Sequence, residues 1–325
     1  MKKYFILAAT VILSLQVMAA SLGDINGTCW HDGWAFYNVT EKDGELSFEG
    51  GTLHEGGYGF KVVKGNHGKM VVMSIYEGME SITTSGRSLS GSSIERRTID
   101  GKDVLLIKSS KGQITDVLLP MNGDFYKTLI DQQNQQLDGV YHKDGSEISF
   151  NGNGGISFGT ARDKWETYSY VKIYDMPSNI LSVFLDKTHI SFDFDKQYIT
   201  LDEVKTKSGV DWDDDPEVET VHSTKLKKKS GLRYKGNGIW PITSVEILTS
   251  GYLSCYNAET LRLMRNDIYA RYGYKFKNKE LNKIFKEQSW YLPSTSDASS
   301  LKFNEIERIN IALIQNMEKI KSTED

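Results

Sequence analysis

Leu261-Arg262-Leu263-Met264-Arg265-Asn266-Asp267-Ile268-Tyr269-Ala270-Arg271-Tyr272-Gly273 is the stretch on which the reading of this chain turns. Leu261, Met264, Ile268 and Tyr272 recur at helical spacing and share one face. Asn257 supplies a cap at the start, and Gly273 stands where a helix ends on a left-handed residue. Two more helices follow. Asn278 caps the first, with Leu281, Ile284 and Phe285 inward and an end enforced before Pro293. Asn304 and Glu307 open the second as a capping-box pair, and Ile306, Ile309, Leu313, Met317 and Ile320 run along it as an apolar stripe. Residues 241–321 are therefore expected to form a small three-helix domain.

Upstream the period is different. Between Ile25 and Lys229 apolar residues alternate or cluster in short runs broken by Gly, Asn and Asp, the pattern of strands joined by tight turns. Strands are predicted at 60–63, 70–76, 104–108, 115–119, 168–174, 181–185, 190–194 and 198–204. Asp32-Gly33, Asp43-Gly44, Asp100-Gly101 and Asp144-Gly145 are turn signals, since Gly and Asp tolerate positive φ. The fold class is α+β and mainly β: two antiparallel lobes, sandwich or small meander barrel, then the helical domain. The boundaries read 21–123 for the first lobe, 124–136 for a short helix or polar connector, 137–229 for the second lobe and 230–240 for a linker. An internal echo supports two lobes, because Asn26 to Gly33 resembles Asp138 to Gly145, and Glu45-Leu46-Ser47-Phe48 resembles Glu147-Ile148-Ser149-Phe150. About ten extra residues separate the blocks in the first copy.

The first 20 residues have the layout of a secretory signal peptide: Lys2 and Lys3, an apolar run from Tyr4 to Leu15, then small residues that permit cleavage after Ala19 or Ala20. The apolar run falls short of the roughly 20 residues needed to span a bilayer, and no cysteine follows either cut to carry a lipid. The expected location is periplasm, cell surface or medium. A formal net charge of −4 argues against nucleic acid as a partner. Cys29 and Cys255 would reach an oxidising compartment. Pairing them would close a very long loop, worth up to about 5 kcal/mol, while two separate thiols are the simpler reading.

Chemistry-bearing motifs are sparse. His31, His54, His67, His142, His189 and His222 form no metal-ligand pattern, and neither a nucleophile elbow, a zinc-protease helix nor a phosphate loop is present. No catalytic residue, metal or cofactor is assigned. Cys29 beside His31 would share a strand face without an orienting partner. Asp211, Asp213, Asp214, Asp215, Glu217 and Glu219 lack the spacing of a calcium loop. Lys225, Lys227, Lys228 and Lys229 read as a solvated edge that follows a hairpin loop, with a linker beyond.

Extended to Tyr274-Lys275-Phe276, the opening stretch resembles the name-giving motif of the YARHG domain family. Phe285, Trp290-Tyr291, Pro293, and Leu301 through Glu307 to Asn310 follow in that family's order, so the resemblance covers about 241–319. It implies an extracellular module of the kind attached to varied bacterial proteins. Tyr272 occupies the place of the name-giving histidine, which removes a histidine base or ligand there, and Asp267 stands where glutamate is common. The candidate binding residues are Asn266, Tyr269, Arg271, Tyr272, Trp290 and Tyr291. Arg271 could grip an anionic group with its forked donors, or bond Asp267 and carbonyls within the domain. Trp290 reads first as core, its truncation costing about 3–5 kcal/mol. The expected function is noncatalytic binding of an envelope component or another protein. A small-molecule carrier with a barrel cavity, or a hydrolase with a site between the lobes, are the alternatives.

Overall fold

A computed structural model describes residues 22–52, 56–65, 69–75, 91–121, 123–151, 155–160, 166–169, 180–185, 188–194, 198–206, 218–231, 233–234 and 236–324. The expected leader, the acidic residues from 211 to 217, and His54 and His67 lie outside them. The first eight strands are β1 (Cys29–His31), β2 (Phe36–Lys42), β3 (Glu45–Gly51), β4 (Gly56–Lys64), β5 (Met70–Ile75), β6 (Ser93–Ile99), β7 (Lys102–Lys108) and β8 (Ile114–Pro120). They pair in chain order and close into a barrel, with β8 returning to β1 through Trp30↔Pro120 and His31↔Leu119. Closure leaves no edge strand among the described residues of this half. The first lobe is thus a meander barrel.

Helix α1 (Phe125–Leu137) occupies the predicted connector, and the side chain of Asp124 accepts from Tyr126 N at 3.0 Å as its cap. Eight more strands follow: β9 (Gly139–Lys143), β10 (Ser146–Phe150), β11 (Gly155–Thr160), β12 (Glu166–Ser169), β13 (Ile180–Leu185), β14 (Thr188–Asp193), β15 (Tyr198–Thr206) and β16 (Val218–Ser230). Their order is β12-β11-β10-β9-β16-β15-β14-β13, so β16 is central and pairs with both β9 and β15. This corrects the expectation of a solvated edge at Lys225, Lys227, Lys228 and Lys229, while the hairpin loop expected over the acidic residues lies mostly outside the described residues. The charges of β16 hid it, because Leu226 is its one core side chain among the described residues.

In the structure the turn Asp144-Gly145 corresponds to Asp43-Gly44 and not to the Asp32-Gly33 of the echo, so only the second block of the echo keeps a structural counterpart. Asp43 and Asp144 both adopt positive φ (54° and 50°) at hairpin turns, and the strand after each buries an alternating pair, Leu46 with Phe48 and Ile148 with Phe150. The ten extra residues of the first copy contain the seven of strand β2. Asp32 is different. It is a buried carboxylate that accepts from Trp34 N and Ala35 N at 2.8 Å and from the Tyr37 hydroxyl at 3.0 Å, rather than a solvated turn residue.

The helical region contains four α-helices rather than three: α2 (Ser250–Ser254), α3 (Ala258–Arg271), α4 (Lys279–Lys286) and α5 (Glu305–Glu324), with 3-10 turns at Pro241–Ser244 and Ala298–Ser300. At five residues, α2 is too short to show a period. The three predicted caps are formed: Asn257 accepts from Thr260 N at 2.8 Å and Asn278 from Leu281 N at 3.0 Å. Asn304 and Glu307 exchange both bonds of the capping box, at 2.8 and 3.0 Å. Gly273 has φ +75°, and a Cβ there would meet Leu292 O at 2.7 Å, so the end of α3 requires glycine.

One apolar cluster joins the outer wall of the barrel, the second sheet and the helices. Val104, Leu106 and Val117 from the barrel wall, Tyr141, Phe150, Phe192 and Leu226 from the second sheet, and Leu253, Met264, Ile268, Leu313 and Met317 from the helices belong to it. On β7, Leu105 and Ile107 point into the barrel while Val104 and Leu106 point out to the helices, which is why four consecutive residues are buried. Asn316 on α5 donates to Thr115 O on β8 at 2.9 Å. A satellite cluster of Ala270, Phe276, Leu281, Phe285 and Tyr291 stands apart, under α4.

Candidate functional site

Arg271 has its partners inside the helical module. Its side chain is 8% exposed, and Nη2 lies 3.4 Å from the fully buried Asp267 carboxylate one turn back. Nη1 donates to Ser244 Oγ, Nη2 to Thr243 Oγ1, and Nε to Asp267 O at 3.3 Å. Asp267 in turn accepts from Ile239 N at 2.9 Å and Trp240 N at 3.1 Å. Burial pushes its carboxyl above the usual range, against the pull of Arg271 and these two amides. Gly238, at φ +116°, brings the backbone so close that a Cβ would sit 2.8 Å from Asp267 Oδ2 and 2.9 Å from Arg271 Cδ. The pair therefore fastens the entering segment 238–244 to α3. Of the two readings of Arg271, intradomain bonding is the one its contacts satisfy.

Tyr272 continues the same network. Its hydroxyl donates to Glu307 Oε2 at 2.5 Å, and Ser244 Oγ donates to Glu307 Oε1 at 2.5 Å. Burial first, then the bond and the nearby charge of Glu307, push the Tyr272 hydroxyl up to about 12. The residue in the histidine position is thus a hydrogen-bond strut to α5. Tyr269 packs its ring on Phe303 (4.8 Å) and Tyr274 (5.9 Å), and Asn266 Nδ2 bonds Arg262 O at 2.7 Å on its own helix. Tyr291 is buried, with its hydroxyl on Tyr274 O at 2.7 Å. Trp290 is half-buried at the margin of the satellite cluster, 6.2 Å from the Phe285 ring. The structure gathers Arg271 and Tyr272 around Thr243, Ser244 and Glu307, and leaves Trp290 and Tyr291 around Phe285.

Two faces of the module differ sharply. Helices α2, α3 and α5 share the core that runs through both sheets. Helix α4 covers only the satellite cluster, and its outer face carries exposed Lys279, Lys283 and Lys286 at i, i+4 and i+7. With Asn282 and Glu287 they line a shallow open recess. Lys275 and Lys277 precede it, both exposed, and Leu292 is 78% exposed nearby. None of these residues was singled out from sequence, although the lysine spacing was there to be read.

Cys29 and Cys255 are separate thiols, so the candidate disulfide is not formed; Cys29 sits on β1 of the barrel and Cys255 is buried at the end of α2. Burial raises the Cys29 thiol and holds His31 down to about 4. Both shifts oppose the thiolate and imidazolium that an activated pair requires. Among the described residues no three His, Cys, Asp or Glu side chains converge as a metal site would need, and no helix is long and apolar enough to cross a membrane.

Comparison with known families agrees with the motif. Residues 238–319 match the model of the YARHG domain. The match begins at Gly238, where the backbone closes on Asp267 and Arg271. No curated protein matches the chain.

Proposed function

We propose that this chain, with its YARHG domain over residues 238–319, is an exported noncatalytic binding protein of the bacterial envelope that presents the α4 face of the module to its partner. One observation carries the reading: the module is docked on the β body through α2, α3 and α5, which leaves α4 as its open side. Three lysines on successive turns favour an anionic partner, either an envelope polymer or an acidic protein surface. Export rests on the basic-apolar-small leader and on the association of this domain with extracellular and periplasmic proteins. Noncatalytic action is favoured by the opposed shifts of Cys29 and His31.

The barrel speaks against the carrier alternative. Trp30, Tyr37, Phe48, Phe60, Leu105, Ile107 and Leu118 fill its described interior, with the Phe48 and Phe60 rings stacked at 4.5 Å. A carrier would need that space for its ligand. The test is co-sedimentation of purified protein with envelope fractions, comparing wild type with Lys279→Glu/Lys283→Glu/Lys286→Glu. Loss of binding in the triple variant, and weakening by salt in wild type, support the reading. Equal binding by the two proteins counts against it.

A further inference from the structure

A second place in the molecule has the chemistry of a ligand site, and it lies away from α4. Where the end of α1, strand β16 and the segment entering the module meet, a recess is lined by Asp138, Lys228, Tyr234, Trp240, Ile242 and Tyr252, among others. The space open to the centre of a water-sized solute is about 30 Å³, room for about two waters or the head of a small organic group. We propose that this recess binds a carboxylate group of a small acid, held by the Lys228 ammonium, the Trp240 indole N–H and the Tyr234 hydroxyl.

The argument is an imbalance of donors and acceptors. Trp240 is 5% exposed, and its indole nitrogen has no hydrogen-bond partner among the described residues. The Tyr234 hydroxyl is likewise buried and unpartnered. A buried polar atom without a partner is rare in a folded protein and calls for a bound water, ion or ligand. The acceptor at hand is Asp138, 2% exposed, but both its oxygens already accept from Arg233 N at 3.0 Å. Lys228 adds an ammonium whose burial holds it down to about 8, with Asp138 pulling it back up. Burial likewise pushes the Tyr234 hydroxyl up to about 12, which keeps it a donor at neutral pH. Gln135, Gln136, Tyr252 and Tyr256 also bring polar atoms to the lining. Gln136 Nε2 is bonded to Tyr252 O and the Tyr252 and Tyr256 hydroxyls to each other, so the Trp240 and Tyr234 donors stay unmet beside the Lys228 ammonium, and a carboxylate would meet them.

The backbone is shaped around the recess. The ladder between β16 and β9 shifts register between Lys228 and Ser230, an irregularity of the kind that re-aims side chains beside functional sites. Ile242 and Tyr252 close the apolar side, which suits the short carbon stem of an acid such as acetate. Because Asp138, Lys228 and Tyr234 precede the domain match and Trp240 lies within it, the site exists only when module and sheet are joined.

The test is a titration of the full chain, labelled with ¹⁵N in the tryptophan indoles, with sodium acetate against sodium chloride at equal ionic strength. The Trp240 indole resonance is assigned by its absence in Trp240→Phe. The expected result is a saturable shift of that resonance with acetate and not with chloride, weakened about tenfold or more in Lys228→Met. A resonance that stays still, or follows chloride equally, means a water-filled recess and overturns the proposal. Unchanged affinity in Lys228→Met overturns it as well. Should Trp240→Phe or Lys228→Met fail to fold, the wild type and Tyr234→Phe decide together: no saturable, acetate-specific shift in any wild-type indole, or one undiminished in Tyr234→Phe, refutes it, and a shift diminished in Tyr234→Phe sustains it.

Discussion

Asp32, just past β1, and Asp116, on β8, stand close enough at the rim of the barrel that the charge on Asp32 raises the pKa of Asp116. Both are almost fully buried, at 1% and 3% exposure. Burial is the larger cause for each. Helix α2 packs over them: Gly251 N donates to Asp32 O at 2.9 Å, and the Ser250 side chain bonds Asp116. The helical module is thus seated on a pair of carboxyls whose pKa values burial raises.

The sign of the pH effect follows. A carboxyl whose pKa is raised by folding contributes stability that is complete below about 3.9 and is lost as pH rises through the folded value. Asp116→Asn keeps the shape and an acceptor for Val117 N and Ser250 while removing the charge. It is expected to be more stable than wild type at pH 7 and to gain nothing at pH 4. Urea unfolding of both proteins from pH 4 to pH 8 checks this, and parallel curves would refute it.

His31 works in the opposite direction. Burial lowers its pKa to about 4, and Nδ1 has no partner among the described residues. A histidine kept neutral by folding contributes stability above its unfolded pKa of about 6.5, and that is lost as pH falls toward the folded value. The drop is about 3 kcal/mol for a shift of this size. His31→Leu should flatten the stability curve between pH 6.5 and pH 4, where wild type declines; an unchanged decline would show that His31 is not its source.

Arg271→Ala should cost about 3–5 kcal/mol, because it leaves the Asp267 carboxylate buried without its cation. Arg271→Lys should recover only part of this, since an ammonium cannot reach Ser244, Thr243 and the Asp267 carbonyl together. Thermal or urea unfolding reads both variants. A loss below about 1 kcal/mol in Arg271→Ala would return Arg271 to the list of free recognition residues.

Phe285 keeps the inward place read from sequence, whereas Trp290, read first as core, lies at the margin. Phe285 is 0% exposed with Phe276 stacked on it at 4.9 Å, whereas Trp290 is half-buried. Phe285→Ala should cost about 3–5 kcal/mol and Trp290→Ala distinctly less, about 1–3 kcal/mol. Reversal of that order in unfolding experiments would place Trp290 in the core after all.

What the sequence made legible was local. Asn257, Asn278, and Asn304 with Glu307 cap helices through bonds three residues long, so their positions could be read directly. The turns at Asp43, Asp100 and Asp144 are equally local and all adopt positive φ. Features set by distant parts of the chain stayed hidden. Asp32 looks like a turn residue until Asp116 and Ser250 close over it, and Lys228 looks solvated until α1 and Trp240 arrive. Strand β16 has almost no apolar alternation because its long charged side chains do not mark the buried face. Arg271 and Tyr272 were found as candidates but not as struts, since Thr243, Ser244 and Glu307 come to them from well outside α3.

The orientation of the module is the claim on which the functional reading rests, and amide hydrogen exchange on the full chain tests it most directly. Amides in the middle of α3 and α5 should share the slow exchange of β7 and β8, because one core holds all four, while α4 should open separately and faster over its small satellite cluster. If α3 and α5 exchange together with α4 and independently of β7 and β8, the module is not docked by that face and α4 is not its open side.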